Sequence, residues 1–174
     1  MAHINIEIKA RTNRMDEIRK ILIDQKAVFK GVDNQTDTYF NVPNGRLKLR
    51  EGNIENNLIQ YLRTNQEGPK QSYFKLLPVS DPVTLKAILT TANGVKVVVA
   101  KKREIYYIDN VKFHLDSIEG LGNFVEIEAG NLIRDLSSEE LNVQCNQYME
   151  AFGMKQEDLI AVSYSDMLLD KADE

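Results

Sequence analysis

Several short stretches of this chain gather charged side chains on one side of an extended backbone. Residues 4–11 read Ile-Asn-Ile-Glu-Ile-Lys-Ala-Arg. Successive side chains of a strand point to opposite sides, so Asn5, Glu7, Lys9 and Arg11 share one face and Ile4, Ile6, Ile8 and Ala10 the other. Arg46, Lys48 and Arg50 alternate with Leu47 and Leu49, and Glu126 and Glu128 alternate with Val125 and Ile127. Lys101 and Arg103 share a face with Val97 and Val99, and Asp116 falls on the polar side of a strand at 111–116. Guanidinium and ammonium groups hold anionic oxygens, while carboxylates two residues apart on one face suit a hard divalent cation.

The elements that would carry these faces follow from local signals. Asn13 is placed to cap a helix over about 14–26, with Met15, Ile18, Ile21 and Leu22 on its apolar side. A short strand is expected at 29–32, a polar connection at 33–38 and a strand at 39–42. Pro43-Asn44-Gly45 then marks a hairpin that returns 46–50 antiparallel. Residues 58–64 read as a strand with Ile59, Tyr61 and Arg63 on one face. An irregular turn containing Gly68-Pro69 leads to a strand at 72–77, whose register decides which way Lys75 points. Asp81-Pro82 starts a helix with a buried stripe of Leu85, Ile88 and Leu89, stopped at Gly94. A long strand at 95–107 turns at Asp109-Asn110 into 111–116, and Gly120-Leu121-Gly122 turns again into 124–129. Ser137 and Glu140 form a capping-box signature ahead of Leu141, Cys145, Met149 and Phe152, and Gly153 ends that helix. A last amphipathic segment covers about 156–169.

About eight strands, mostly joined by hairpins, imply an α+β fold with a largely antiparallel sheet. On alternation alone, an open sheet with one solvated charged face remains the plain alternative. If the sheet closes into an eight-stranded barrel, apolar faces pack outward against helices and charged faces line a wet interior. The inward cations would be Lys9, Arg46, Lys48, Arg50, Arg63, Lys75, Lys101 and Arg103, and the inward acids Glu7, Asp116, Glu126 and Glu128. Such an excess of positive charge, in a chain of net charge -4, suits a polyanion bound with divalent cations, and triphosphate is the natural candidate. His114 is expected to hydrogen-bond beside Asp116 rather than to bind metal, and Tyr106 and Tyr107 to pack.

Composition narrows the classes. A chain of 174 residues with 43% hydrophobic and 28% charged content is expected to form one domain, residues 1–174. The acidic balance argues against general nucleic-acid binding. A lone cysteine, Cys145, cannot form an internal disulfide and reads as a buried thiol in a reducing compartment. No stretch approaches the roughly 20 apolar residues a membrane span needs, so a cytoplasmic location without membrane partners is expected. No phosphate-binding glycine loop, zinc spacing or nucleophile elbow is present.

Taken together, the charged stretches resemble the triphosphate tunnel metalloenzyme, or CYTH, family, in its class IV adenylyl cyclase-like branch. Asn5-Ile6-Glu7-Ile8-Lys9 is similar to the family's Glu-x-Glu-x-Lys signature, residues 45–51 to its basic strand, and Lys101-Lys102-Arg103 to its Lys-x-Arg element. His114-Leu115-Asp116 and 120–128 resemble the metal-binding region, and Ser163-Tyr164-Ser165-Asp166 the ending of the cyclase-like branch. The resemblance implies a closed, mainly antiparallel tunnel holding a triphosphate end-on. Metal, Mg2+ or Mn2+, would sit on Glu7, Asp116, Glu126 and Glu128. Phosphate would sit on Lys9, Arg46, Lys48, Arg50, Arg63, Lys75, Lys101 and Arg103, with Lys9 and Arg103 as the catalytic cations. The implied activity is conversion of ATP to cyclic AMP and pyrophosphate. The alternatives are hydrolysis of tripolyphosphate or thiamine triphosphate, or non-catalytic binding, and a homodimer is the family's frequent assembly. The departure is Asn5, which brings an amide where the signature has a charge.

Overall fold

The alternating stretch at the start of the chain is one stave of a closed barrel. The structure, a computed structural model, describes residues 3–172 apart from Thr64 and the side chain of Arg63. Among the described residues there are eight strands: β1 (His3–Arg11), β2 (Val28–Phe40), β3 (Arg46–Glu51), β4 (Asn56–Arg63), β5 (Lys70–Pro78), β6 (Val95–Ile108), β7 (Val111–Ile118) and β8 (Gly122–Gly130). They close in the order β1-β5-β4-β3-β2-β6-β7-β8, and every neighbouring pair is antiparallel. Closure leaves no free sheet edge.

The apolar faces of β1, β7 and β8 point outward and carry the main core. Ile6, Ile8, Phe113, Leu115, Val125 and Ile127 pack there against Ile18 and Leu22 of α1 (Met15–Asp24) and Leu141 and Cys145 of α3 (Ser138–Ala151). Each fully buried leucine or isoleucine stabilises the fold by about 1.5–3 kcal/mol. The α3 start is fixed by the anticipated capping box: Glu140 N donates to Ser137 Oγ, and Ser137 N donates to Glu140 Oε2. Cys145 is buried, its thiol donating to Ile6 O at 3.0 Å. The Pro43-Asn44-Gly45 turn joins β2 and β3, and Gly45 has φ +64° with Tyr61 O only 2.6 Å from where a Cβ would stand. A side chain there would be both strained and crowded.

Four local expectations are corrected. The polar run at 33–38 is not a connection; β2 is one unbroken strand, because Asp33, Gln35 and Asp37 face a polar interior and are buried there. Asn13 does not cap α1. The helix has no side-chain cap, and Thr12 Oγ1 instead accepts from Arg14 N. Helix α2 (Pro82–Asn93) is capped by Asp81 as expected, but none of its residues is buried, so the Leu85, Ile88 and Leu89 stripe is not a core face. The last segment is not one amphipathic helix: a 3-10 turn (Gln156–Asp158) and an extended stretch precede α4 (Tyr164–Ala172). Thr64, expected to end a strand, lies outside the described residues.

Candidate functional site

The barrel register brings the polar faces together across the lumen. Asp37 stands opposite Arg50, Tyr39 opposite Lys48, and Arg103 opposite Asp116. The cavity they enclose holds about 790 Å³ of empty space, its open mouth included, and is lined by Lys9, Lys48, Arg50, Lys101, Arg103 and Lys112 among the cations. Asp37 is the hub of this set. Its carboxylate accepts a two-bond fork from Arg50 at 2.9 Å each and a bond from Lys101 at 2.8 Å, with Lys48 at 3.4 Å. Burial alone would push the Asp37 carboxyl up, but Arg50, Lys101 and Lys48 together hold it well below the usual carboxylate range. Burial also pulls the Lys101 ammonium well below the ordinary lysine value, despite Asp37.

A second internal carboxylate arrives from the β3–β4 loop. Glu55 Oε2 accepts from Lys112 Nζ at 2.6 Å, and its other oxygen accepts from Gln35 at 3.0 Å. The loop is pinned by buried Asp33, which accepts from Ile54 N and Glu55 N at 3.0 Å. Gly52 makes room for this clasp, since a Cβ there would lie 2.5 Å from Asp33 Oδ1. Burial opposes the charge on Glu55, but Lys112 and Arg50 hold its pKa far below normal.

The acidic wall is formed by β1, β8 and β7. His114, Glu126 and Glu128 offer ligand atoms within 4.8 Å of one another, and Glu7 lines the same wall. Burial, with repulsion from Glu126 and Glu7, pushes Glu128 up to about 7, while Lys9 draws Glu126 down against its own burial. Burial and nearby Arg103 lower His114 to about 3, so its ring is neutral at pH 7. Both His114 nitrogens are buried without a hydrogen-bond partner among the described residues, Nδ1 lying 3.8 Å from Glu126 Oε1. A neutral imidazole with free nitrogens beside two carboxylates fits a divalent cation. Asn5 does not act as a further acid here; its amide donates to Glu128 Oε1 at 2.7 Å. Gly130 allows that reach, because a Cβ there would stand 2.5 Å from Asn5 Oδ1.

Residues 159–168 pack along the barrel beside Lys9 and bring Ser163 and Tyr164 into the cavity lining. Ile160 N donates to Lys9 O at 2.9 Å, and Lys70 Nζ donates to the carbonyls of Ile160 and Ala161. Tyr164 enters the cavity lining. Its hydroxyl donates to Asp116 at 2.9 Å, and Lys9 Nζ sits 3.6 Å over its ring. Arg46 fastens the segment by donating to Ser163 Oγ at 2.5 Å and Asp166 Oδ2 at 2.8 Å.

The structure therefore brings together Glu7, Lys9, Lys48, Arg50, Lys101, Arg103, Glu126 and Glu128, as the alternation anticipated. Three of the anticipated residues are placed differently. Lys75 is exposed on the outside, because the β5 register turns Ser72, Phe74 and Leu76 inward. Arg46 stands outside the cavity lining, tied to Asp166. Asp116 is fully buried but committed to a fork from Arg103 at 2.7 and 2.8 Å and to Tyr164, and it stands outside the acid–imidazole cluster. The Arg63 side chain lies outside the described residues. Sequence reading missed Asp37, Glu55, Lys112 and the clustering of His114. Lys112 and His114 share Asp116's polar face and could have been found by extending the same alternation. Glu55 comes from a loop and carries no such signal. Tyr107 is not simply packed: Lys112 Nζ lies 5.8 Å over its ring.

A closed antiparallel barrel with cations and carboxylates converging on its lumen has the architecture of a triphosphate tunnel. The CYTH domain model matches residues 3–140, and the chain belongs to that family. The PH1012 protein of Pyrococcus horikoshii OT3 is similar in structure, with a TM-score of 0.77, 27% identity and coverage of 93% of this chain and 98% of that one. A candidate adenylate cyclase of Vibrio parahaemolyticus has the same fold, with a TM-score of 0.74, 18% identity and coverage of 95% and 97%. So does HpAC1 of Hippeastrum, a candidate adenylyl cyclase described as having a dominant triphosphatase activity, with a TM-score of 0.64, 12% identity and coverage of 99% and 96%. No curated protein matches the chain at a significant level. Among the described residues, no helix is long and apolar enough to cross a membrane.

Proposed function

We propose that the lumen binds a triphosphate together with a divalent cation, and that the protein is an enzyme acting on ATP in the manner of a class IV adenylyl cyclase. The observation that carries this reading is the convergence of Lys9, Lys48, Arg50, Lys101, Arg103 and Lys112 on one cavity whose neighbouring wall holds His114, Glu126 and Glu128. Phosphate oxygens would replace Asp37 and Glu55 as partners of these cations. Glu7, Glu126, Glu128 and His114 would hold Mg2+ or Mn2+, which when bound supplies charge neutralisation at the phosphates and a lower pKa for the attacking oxygen.

Lys9 and Arg103, flanking the acidic wall, are the cations assigned to the reacting phosphate, where fixed positive charge favours the developing negative charge. In the cyclase reaction the ribose 3′-oxygen bonds to the α-phosphorus, its proton passes to water, and the bond to the bridging oxygen breaks to release pyrophosphate. A second reading is hydrolysis, in which water bonds to the γ-phosphorus and gives up its proton, the bond to the β,γ-bridging oxygen breaks, and the diphosphate departs as orthophosphate forms. The triphosphatase activity described for HpAC1 is the observation that favours it.

Phosphorus NMR of the purified protein with ATP, tripolyphosphate or thiamine triphosphate, each with Mg2+ or Mn2+ and a chelator control, separates these readings. Cyclic AMP with pyrophosphate is the expected result. Orthophosphate would make the protein a triphosphatase, and absence of turnover with all three would leave a binding protein.

A further inference from the structure

Lys9 and Arg103 stand on different strands, β1 and β6, yet one side chain reaches both. Tyr164, at the start of α4, comes from the part of the chain beyond the matched span of 3–140. Its ring lies beneath the Lys9 ammonium, with Nζ 3.6 Å from the ring centroid. Its hydroxyl donates to Asp116 Oδ2 at 2.9 Å, on the same carboxylate that accepts Arg103 Nε at 2.7 Å and a terminal Arg103 nitrogen at 2.8 Å. Tyr164, Lys9 and Arg103 all line the one cavity.

Packing accounts for only part of this placement. The ring is buried against Phe124, 5.0 Å between centroids, which any large apolar side chain could do. Nor is Tyr164 needed to dock its segment, which has fastenings of its own: Ile160 N on Lys9 O, Lys70 on the carbonyls of Ile160 and Ala161, Arg46 on Asp166, and Lys171 Nζ on Gly120 O at 2.7 Å. What packing leaves over is a ring face under one cation and a hydroxyl on the counter-ion of another. An aromatic face attracts an ammonium without accepting hydrogen bonds as a carboxylate does, so Lys9 is held in place with N–H groups able to turn to an anion. Fixing the long lysine arm beforehand lowers the cost of ordering it when a ligand arrives. On the other side, the phenol bond holds Asp116, and the Asp116 fork sets the plane of the rigid Arg103 guanidinium.

Resting on the triphosphate reading, we propose that Tyr164 is the positioning residue for the two cations assigned to the reacting phosphate: its ring seats Lys9, and its hydroxyl, through Asp116, orients Arg103. It acts through these cations, and the two halves of the role separate chemically. Phenylalanine keeps the seat and loses the bond to Asp116; leucine loses both.

The test is calorimetric titration of the full chain with inorganic tripolyphosphate in the presence of a chelator, which leaves the cations as the binding groups. The parent is compared with Tyr164→Phe, Tyr164→Leu and, as a control, Lys171→Ala, which removes a different fastening of α4. NMR of lysine-labelled protein adds a direct readout, because the ring current shifts the signals of a lysine arm lying on the ring face upfield; Lys9→Arg assigns that signal by its loss. The expected result is tripolyphosphate affinity weakened about tenfold by Tyr164→Leu and about threefold by Tyr164→Phe, and unchanged by Lys171→Ala. The shifted lysine signal should persist in Tyr164→Phe and vanish in Tyr164→Leu. Parent-like binding by Tyr164→Leu, equal losses in the two Tyr164 variants, or a loss in Lys171→Ala as large as in Tyr164→Leu overturns this inference, while binding by the parent leaves the triphosphate reading standing. A parent that binds no tripolyphosphate overturns the triphosphate reading, and the positioning role with it.

Discussion

Replacing Asp37 with asparagine keeps the shape of the tunnel and removes the charge on which its cations are organised. Three cationic groups lie 2.8 to 3.4 Å from that carboxylate. In an effective dielectric of about 20, each contact carries roughly 5–6 kcal/mol of attraction, most of it offset by the cost of desolvation. Removing one partner from such a buried set leaves the others uncompensated and costs about 3–5 kcal/mol. At about 2–4 °C per kcal/mol for a chain of this size, Asp37→Asn should melt roughly 6–20 °C below the parent. Lys101 adds a signature. Burial already depresses its pKa and Asp37 opposes that effect, so in the variant the buried amine sheds its proton more readily than in the unfolded chain. The unfolded state then binds more protons, and the variant's deficit should narrow as pH rises from 7 toward about 10. Added tripolyphosphate should raise the variant's melting temperature more than the parent's, because the anion replaces the missing charge. Scanning calorimetry at several pH values, with and without tripolyphosphate, gives all three readouts. A melting temperature within about 2 °C of the parent, or equal ligand shifts in both proteins, would refute the argument that Asp37 is the internal counter-ion.

Acid should destabilise the parent in a defined window. Asp37 and Glu55 have depressed folded-state pKa values, so their stabilisation is complete above the unfolded carboxylate values of about 4 and is lost as pH falls below them. Urea midpoints between pH 6 and pH 2 should show this. Arg46→Ala should loosen the segment that carries Tyr164 into the lumen by removing its bonds to Ser163 and Asp166. Faster amide exchange confined to residues 162–172, with the barrel strands unchanged, is the expected pattern. Ser137→Ala breaks the α3 capping box and should cost about 1 kcal/mol, a fall of about 2–4 °C in melting temperature. Lys75→Ala should leave tripolyphosphate affinity unchanged, since that side chain is outside, whereas Lys48→Ala should weaken it at least about tenfold by calorimetry.

Alternation made the barrel legible wherever one face of a strand was apolar and the other charged. Residues 4–11, 46–50 and 124–129 show this, and Glu7, Lys9, Lys48, Arg50, Glu126 and Glu128 stand where the alternation puts them, while Arg46 turns to Asp166. It failed on β2, where the polar lumen makes the buried side of the strand read Asp33, Gln35, Asp37, a pattern that in a water-facing loop would look the same. It was ambiguous on β5, because the irregular connection before Lys70 does not fix register and a one-residue slip exchanges Lys75 for Phe74 and Leu76. Asp116 lay on the polar face as expected, but a face does not say whether a charge is free. Only the geometry shows it bound to Arg103 and Tyr164. Glu55 was out of reach of any periodic reading, since its position depends on a loop held by Asp33.

Tyr164, bound to Asp116 and seated against Lys9, narrows one side of the lumen, and a narrowed lumen imposes an order on traffic. A ligand whose phosphate tail goes in first has its organic head last in and first out. If the protein cleaves a triphosphate as proposed, the inner phosphate fragment waits for the outer product to clear the mouth and leaves past the six cations that line the cavity. Inhibition by that fragment should therefore be competitive with the substrate and stronger than inhibition by the organic product. The step that limits sustained turnover would then be escape of the inner fragment rather than bond breaking.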